Sequence, residues 1–144
     1  MTEIISTGWL GNMAFESTID NYTFKMDASE NFGGTGQGPR PKPMVLSALA
    51  GCTGMDVISI LAKKKVIPKS FNIRISGTMN EENPRYYQKI HIVYELSGDG
   101  YSQNEEILTK VKRAVELSRE SYCGVSAMLK KACDITDEVV LLDS

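Results

Sequence analysis

The sequence contains little of what marks metalloproteins and nucleotide-binding proteins. It has one histidine and three cysteines in 144 residues, and the cysteines form no Cys-x-x-Cys pair. A zinc site needs three or four Cys, His or carboxylate ligands at recognisable spacing, so no metal is expected. The glycine-rich segment at residues 31–40 lacks the Gly-Lys-Ser/Thr ending of a phosphate-binding loop. We therefore expect no cofactor and interpret this segment as a loop.

The basic residues are spread along the chain, apart from one short run. There are 16 basic and 18 acidic residues, with a net charge of −2. Binding to nucleic acid requires a concentrated positive surface, so nucleic acid is not expected as a partner. The basic run Lys63–Lys65 follows an apolar segment and suits a helix C-terminus, where cations complement the helix dipole.

The first residues have neither the basic region nor the apolar region of a signal peptide. Three cysteines without such a signal indicate a reducing compartment, so a cytoplasmic protein is expected. A free cysteine in that setting is by default a small buried apolar residue. Any one of the three needs further support before it is assigned a chemical role.

The pattern of apolar residues predicts an α+β fold in one domain over residues 1–144. A helix over residues 105–121, with Asn104 as its N-cap, has apolar residues at helical spacing. A short helix is expected over Val125–Ala132. Alternating apolar and polar residues predict the strands Ile4–Trp9, Phe15–Ile19, Tyr22–Met26, 71–80, Tyr86–Leu96 and Ile135–Leu142.

The segment Pro43–Ala62 is apolar or small on all sides and predicts a helix that is buried all round. Such a helix belongs in a protein core or in a membrane, and its length approaches that of a membrane span. Asp56, near its middle, makes a membrane location expensive. We therefore expect a core helix and no membrane partner.

The three cysteines occupy different positions relative to these elements. Cys52 lies inside the long helix. Cys123 lies at a helix break just ahead of another helix, where free N–H groups stabilise a thiolate. Cys133 is followed by Asp134 and a strand, so it is interpreted as structural. Sequence spacing alone leaves open whether Cys52 and Cys123 meet.

The surroundings of two cysteines resemble the motifs of the OsmC/Ohr family. The segment Gly51–Val57 (GCTGMDV) is similar to the helix that bears the first cysteine of that family. The segment Tyr122–Ser126 (YCGVS) is similar to the second motif, usually Cys-Pro-Val-Ser. Asn83–Tyr87 (NPRYY) resembles the YhfA-like branch of the family. The similarities run in order through nearly the whole chain.

The resemblance implies a fold and a chemistry. The implied fold is an intertwined homodimer with long central buried helices flanked by antiparallel sheets, and with active sites at the subunit interface. The implied activity is the reduction of organic hydroperoxides. Cys52 attacks the peroxide and becomes a sulfenic acid, Cys123 condenses with it to a disulfide, and an external dithiol restores both thiols.

The sequence departs from the family where the first cysteine is activated. Hydroperoxide-reducing members use an arginine held by a glutamate, and that glutamate lies shortly before the cysteine. Here residues 40–43 read Arg-Pro-Lys-Pro, and residues 1–39 contain no arginine. Arg40 is the candidate replacement, and Lys42 is a weaker one because it lacks a bidentate fork. Asp56, one turn after Cys52, is expected to oppose a thiolate if it faces the same way.

These departures support a second hypothesis from a different functional class. A non-enzymatic protein of the same fold would sense oxidants through its cysteines or bind a small apolar ligand. The missing arginine and glutamate favour this hypothesis over catalysis.

Overall fold

The computed structural model describes all 144 residues as two compact units, Met1–Val45 and Leu46–Ser144. The N-terminal unit contains an antiparallel sheet of three strands, β1 (Ser6–Gly11), β2 (Ala14–Ile19) and β3 (Tyr22–Met26), in sequence order. The turns between them contain residues with positive φ, as tight hairpins require. The three strands confirm the predicted ones to within two residues, and the single domain over residues 1–144 stays a prediction.

The glycine-rich loop that follows β3 is organised around the buried side chain of Asp27. Its carboxylate accepts hydrogen bonds of 2.8, 3.0 and 3.1 Å from the backbone N–H groups of Ala28, Thr35 and Gln37. A Cβ atom at Gly34 would lie 1.7 Å from a backbone oxygen, and one at Gly38 would lie 2.3 Å from another. The glycines therefore permit close backbone approach, and these amides bind a carboxylate of the same chain.

The helix α1 (Pro41–Lys63) leads into the C-terminal unit, which contains three strands and two further helices. In chain order these are β4 (Ser70–Met79), β5 (Tyr87–Gly98), α2 (Glu105–Leu117), a π turn (Ser118–Tyr122), α3 (Gly124–Leu129) and β6 (Asp134–Asp143). Asn104 caps α2 as predicted, because its side chain accepts a hydrogen bond of 3.0 Å from the Ile107 N–H.

The strand order in the second sheet is β4-β5-β6, and the sheet is mixed. Strand β5 runs antiparallel to β4 but parallel to β6. The family resemblance implied antiparallel sheets, and β6 departs from that expectation. The reason lies in the connection: α2 and α3 carry the chain back across the sheet, and a parallel pair requires such a crossover.

The core of the C-terminal unit lies between this sheet and one face of α1. The predicted inward face of β5 is confirmed, since Ile90, Ile92, Tyr94 and Leu96 are all almost fully buried. Residues spaced four apart on α1 face the same core: Leu49, Thr53, Val57 and Leu61. Gly54 allows the helix to approach β4, because a Cβ atom there would lie 2.9 Å from the Ile73 Cδ1 atom.

Helix α1 is not buried all round, as the sequence predicted. On the face opposite the core, Met55 is 72% exposed and Ile58 is 40% exposed. Within one chain, the core that α1 joins covers only one side of the helix, and the apolar residues on the other side remain open. The helix is long and apolar enough to span a bilayer, a property that core helices of soluble proteins share.

Candidate functional site

The structure brings Cys52 and Cys123 together. Cys52 projects from the middle of α1 and is half-buried, whereas Cys123 precedes α3 and is 3% exposed. Cys123 belongs to the core of the C-terminal unit and Cys52 packs against that core. The Cys52 thiol is near enough to raise the pKa of Cys123, and both cysteines are free. The sequence left this meeting open, because the two residues lie on elements far apart in the chain.

Cys123 is positioned by the π turn that ends α2. Its N–H donates to the Ser118 carbonyl oxygen at 2.8 Å, five residues back, which widens the last turn of the helix. Cys123 then takes an extended conformation as the N-cap of α3, and its Sγ accepts a hydrogen bond of 3.3 Å from the Ser126 N–H. The sequence predicted the helix break but not the π turn.

The environment of Cys123 raises the pKa of its thiol to about 11. Burial is the largest cause, and the neighbouring Cys52 thiol adds to it. The hydrogen bond from the Ser126 N–H acts in the opposite direction. The predicted position at a helix N-terminus is therefore confirmed, and the backbone donor favours the thiolate as expected. Burial outweighs it, so the pKa of Cys123 is raised and not lowered.

A chain of hydroxyl groups lies beside the cysteine pair. The Thr53 Oγ1 atom is 2.7 Å from the Tyr94 hydroxyl oxygen and 2.9 Å from the Ser118 Oγ atom. The Ser118 hydroxyl in turn donates to the Asp56 carboxylate at 2.9 Å. We call Tyr94, Thr53 and Ser118, ending on Asp56, the hydroxyl chain. Burial raises the pKa of Tyr94 to about 12, so its hydroxyl remains protonated.

Sequence reasoning did not identify this hydroxyl chain. Ser118 falls at helical spacing with the apolar residues of the helix predicted over residues 105–121. A hydroxyl group on a buried stripe needs a partner, and this was the available signal. Asp56 lies one turn after Cys52, as its spacing indicates, and its carboxylate accepts a hydrogen bond from Ser118.

A cavity of about 520 Å3 opens next to this region. Its walls come from the second half of α1, the end of α2 and the π turn. They are Asp56, Ser59, Ile60, Lys63, Lys64, Leu117 and Tyr122. Tyr122 is the residue immediately before Cys123. The volume lies within the range of sites that bind small molecules.

The remaining predicted candidates lie elsewhere. Cys133 is buried and its thiol donates to the Tyr87 carbonyl oxygen at 2.7 Å, which agrees with a structural role.

Arg40 is exposed just before α1, and Lys42 lies in the first turn of that helix. Both belong to the N-terminal unit, and their role as thiolate-activating residues stays a prediction. The single histidine, His91, contacts Thr136 and Glu138 on the sheet surface.

Comparison with known proteins assigns the chain to a family. The model of the family described as "OsmC-like protein" matches residues 34–138, which include both cysteines of the pair. This chain belongs to the OsmC-like family. The family that the cysteine motifs indicated is thereby confirmed.

Individual relatives agree with this assignment. Protein YhfA of Escherichia coli (strain K12) is 37% identical over 98 residues, which are 68% of this chain and 69% of YhfA. The crystal structure of a hypothetical protein from Aquifex aeolicus VF5 has a TM-score of 0.80 and 27% identity, and covers 99% of this chain and 98% of that one.

A third relative shares the fold at lower sequence identity. It is an organic hydroperoxide resistance protein, OsmC, from Legionella pneumophila, with a TM-score of 0.68 and 16% identity. The alignment covers 97% of each chain. The OsmC-like α+β fold is therefore shown for this protein.

Proposed function

We propose that this protein reduces organic hydroperoxides with the thiol pair Cys52 and Cys123. The observation that carries the proposal is that both cysteines lie at one core, where the Cys52 thiol is near enough to raise the pKa of Cys123. Proteins of the same fold are described as organic hydroperoxide resistance proteins, which supports the substrate class. The activity would serve an oxidative stress response in the cytoplasm.

The proposed reaction has three steps. The Cys52 thiolate attacks the O–O bond of the hydroperoxide, giving a sulfenic acid on Cys52 and an alcohol after protonation. The Cys123 sulfur then attacks the Cys52 sulfur, forming a disulfide, and the displaced hydroxide leaves as water with the Cys123 proton. An external dithiol reduces the disulfide by exchange and is itself oxidised.

The exposure of the two cysteines supports the roles proposed for them. A hydroperoxide must reach the attacking sulfur, and Cys52 is half-buried whereas Cys123 is almost fully buried. The raised pKa of Cys123 keeps its thiol protonated and unreactive towards peroxide in solution.

We assign the activation of Cys52 to a cation supplied by Arg40 or, less effectively, by Lys42. A thiolate needs a nearby positive charge when burial disfavours it. Replacing Arg40 with Lys should then lower the rate of the first step less than replacing it with Met, which removes the charge.

The proposed active unit is a homodimer. The apolar residues on the open face of α1 include Met55 and Ile58. A second copy of the chain placed against that face would bury them and complete the helix environment that the sequence predicted. The family resemblance implies the same arrangement.

The test is consumption of tert-butyl hydroperoxide by the reduced protein with dithiothreitol as the dithiol. We expect Cys52→Ser to abolish turnover. Cys123→Ser should retain only the first step, with a sulfenic acid that dimedone traps on Cys52. Cys133→Ser is the matched control and should keep full activity, because a serine hydroxyl also donates to the Tyr87 carbonyl oxygen. Turnover no greater than dithiothreitol alone would contradict the proposal.

The cavity beside Tyr122 favours a second candidate function, the binding of a small ligand. Its wall combines the apolar side chains Ile60 and Leu117 with polar groups such as Asp56, which is the composition of small-molecule sites. Native mass spectrometry of the purified protein tests this function. Two results together would favour ligand binding over catalysis. The purified protein would show no hydroperoxide turnover, and it would contain a bound molecule that is absent from the Ile60→Trp variant.

A further inference from the structure

In the hydroxyl chain each group donates its proton to the next one towards Asp56, as elementary hydrogen-bond chemistry requires. A carboxylate accepts and does not donate, and each hydroxyl has one proton. Ser118 gives its proton to Asp56, so the Thr53 hydroxyl must donate to Ser118. The Thr53 proton is then used, so Tyr94 must donate to Thr53. Each of the three hydroxyl protons therefore has an assigned acceptor, and all three hydrogen bonds point towards Asp56.

The hydroxyl chain connects helix α1, the π turn and strand β5. Thr53 lies on α1, Ser118 starts the π turn and Tyr94 lies on β5. All three residues are nearly inaccessible to solvent, with exposures of 2%, 0% and 2%. A hydrogen bond between buried groups is costly to break, because it leaves a desolvated donor or acceptor without its partner. Relative movement of these elements is therefore opposed at this point.

Two members of the chain are connected directly to the cysteines. Thr53 follows Cys52 on the same helix, so a fixed Thr53 fixes the adjacent turn of α1. The Ser118 carbonyl oxygen accepts the hydrogen bond from the Cys123 N–H. Ser118 is thus held through its side chain while its backbone holds Cys123.

We propose that Tyr94, Thr53 and Ser118 are positioning residues that hold the Cys52 and Cys123 sulfur atoms at the separation needed for disulfide formation. The inference rests on the proposed function and extends it from the cysteines to the buried hydroxyl groups behind them. The hydroxyl chain affects the second step of the reaction, in which the Cys123 sulfur attacks the Cys52 sulfur. None of the three touches the peroxide.

The preferred measurement is the equilibrium between the Cys52–Cys123 disulfide and the two thiols in a glutathione redox buffer. That equilibrium reports the effective concentration of one thiol at the other, which is a direct measure of positioning. It needs no hydroperoxide turnover. Thermal unfolding and circular dichroism of each reduced variant check that it is folded.

We expect Thr53→Val and Ser118→Ala each to lower the effective concentration by about tenfold or more, because small displacements of reacting groups have effects of this order. Thr53→Ser keeps the hydroxyl and should stay within about threefold of the wild type. Tyr94→Phe removes only the first donor, so its effective concentration should lie between those of Thr53→Val and Thr53→Ser. Thr109→Val, which removes a hydroxyl on the exposed side of α2, is the matched control and should have no effect.

The outcomes separate the two claims. If the wild-type protein forms no Cys52–Cys123 disulfide in the buffer, the proposed function itself is wrong. If it does, and folded Thr53→Val and Ser118→Ala variants differ from it by less than about twofold, the positioning role is wrong while the cysteine pair stands. A Thr53→Ser variant as impaired as Thr53→Val would also refute the role of the hydroxyl. Should Thr53→Val fail to fold, Ser118→Ala and Tyr94→Phe decide by the same limits.

Discussion

Cys123 experiences two opposing influences on one sulfur atom. A backbone N–H of α3 favours its thiolate, and burial favours its thiol, with burial the stronger. The sequence could predict the first influence, because a helix start follows Cys123 in the chain. It could not predict the second, since burial depends on which elements pack around the sulfur.

The first prediction concerns this balance at Cys123. We expect its thiol to titrate near pH 11 in the reduced protein. Cys52→Ala removes one of the causes, so the pKa should fall but stay above the ordinary value of 9.0, because burial remains. The pH dependence of iodoacetamide alkylation, followed at Cys123 by mass spectrometry, measures both values. A Cys123 pKa at or below 9.0 in the wild-type protein would contradict the balance described.

The second prediction concerns Asp27 in the glycine-rich loop. Three backbone N–H groups lower the pKa of its carboxyl group below 3.8. A lowered folded-state pKa means that the stabilisation is present above about pH 4 and is lost as the pH falls through the folded-state value. Asp27→Asn should therefore reduce the urea midpoint at pH 7, and the difference from wild type should shrink at pH 3.

The exposed carboxyl group of Glu30 provides the control for that experiment. Glu30→Gln removes an acid from the same loop without removing an acceptor of these N–H groups, so its urea midpoint should follow the wild type at both pH values. A difference between Asp27→Asn and wild type that does not change with pH would rule out the role given to this carboxylate.

Among the elements, α1 has two faces with different partners. One face carries Leu49, Thr53, Val57 and Leu61 into the core, and the opposite face presents apolar side chains to solvent in the single chain. The sequence predicted the helix to within two residues at its start and one at its end. It could not predict which face meets the sheet of the same chain, because both faces carry apolar residues.

The third prediction tests the proposed dimer through this exposed face. Met55→Lys places a charge where a second copy of the chain is proposed to pack, so the protein should elute as a monomer with its fold intact. Light scattering coupled to size exclusion gives the mass, and circular dichroism gives the fold. Met128→Lys on α3, at a position of similar exposure, is the control and should leave the mass unchanged. A wild-type protein that is already a monomer would contradict the dimer.

Strand pairing illustrates the limit of sequence patterns at the element scale. Alternation predicted β5 and β6 closely, because alternation records which side of a strand faces the core. The direction of pairing depends on the connections between strands. The π turn after α2 was missed for a related reason: its hydrogen bonds span five residues and have no fixed residue preference.

At the scale of the whole molecule, two short motifs were enough to predict the family. They were not enough to predict how the residues of the site are arranged. The surroundings of Cys52 and Cys123 indicated the OsmC-like family that comparison confirms. Their contact depends on α1, the π turn and β5 meeting in one core. The hydroxyl chain arises from the same meeting, since its members come from those three elements.

The central claim is that Cys52 and Cys123 act as one redox pair, and peptide mapping after oxidation tests it most directly. The reduced protein is treated with one equivalent of tert-butyl hydroperoxide, remaining thiols are blocked, and the digest is examined by mass spectrometry without reduction. The account predicts a Cys52–Cys123 disulfide within one chain and an unmodified Cys133. Oxidation of Cys52 to sulfinic acid with Cys123 still free, or a disulfide that includes Cys133, would contradict it.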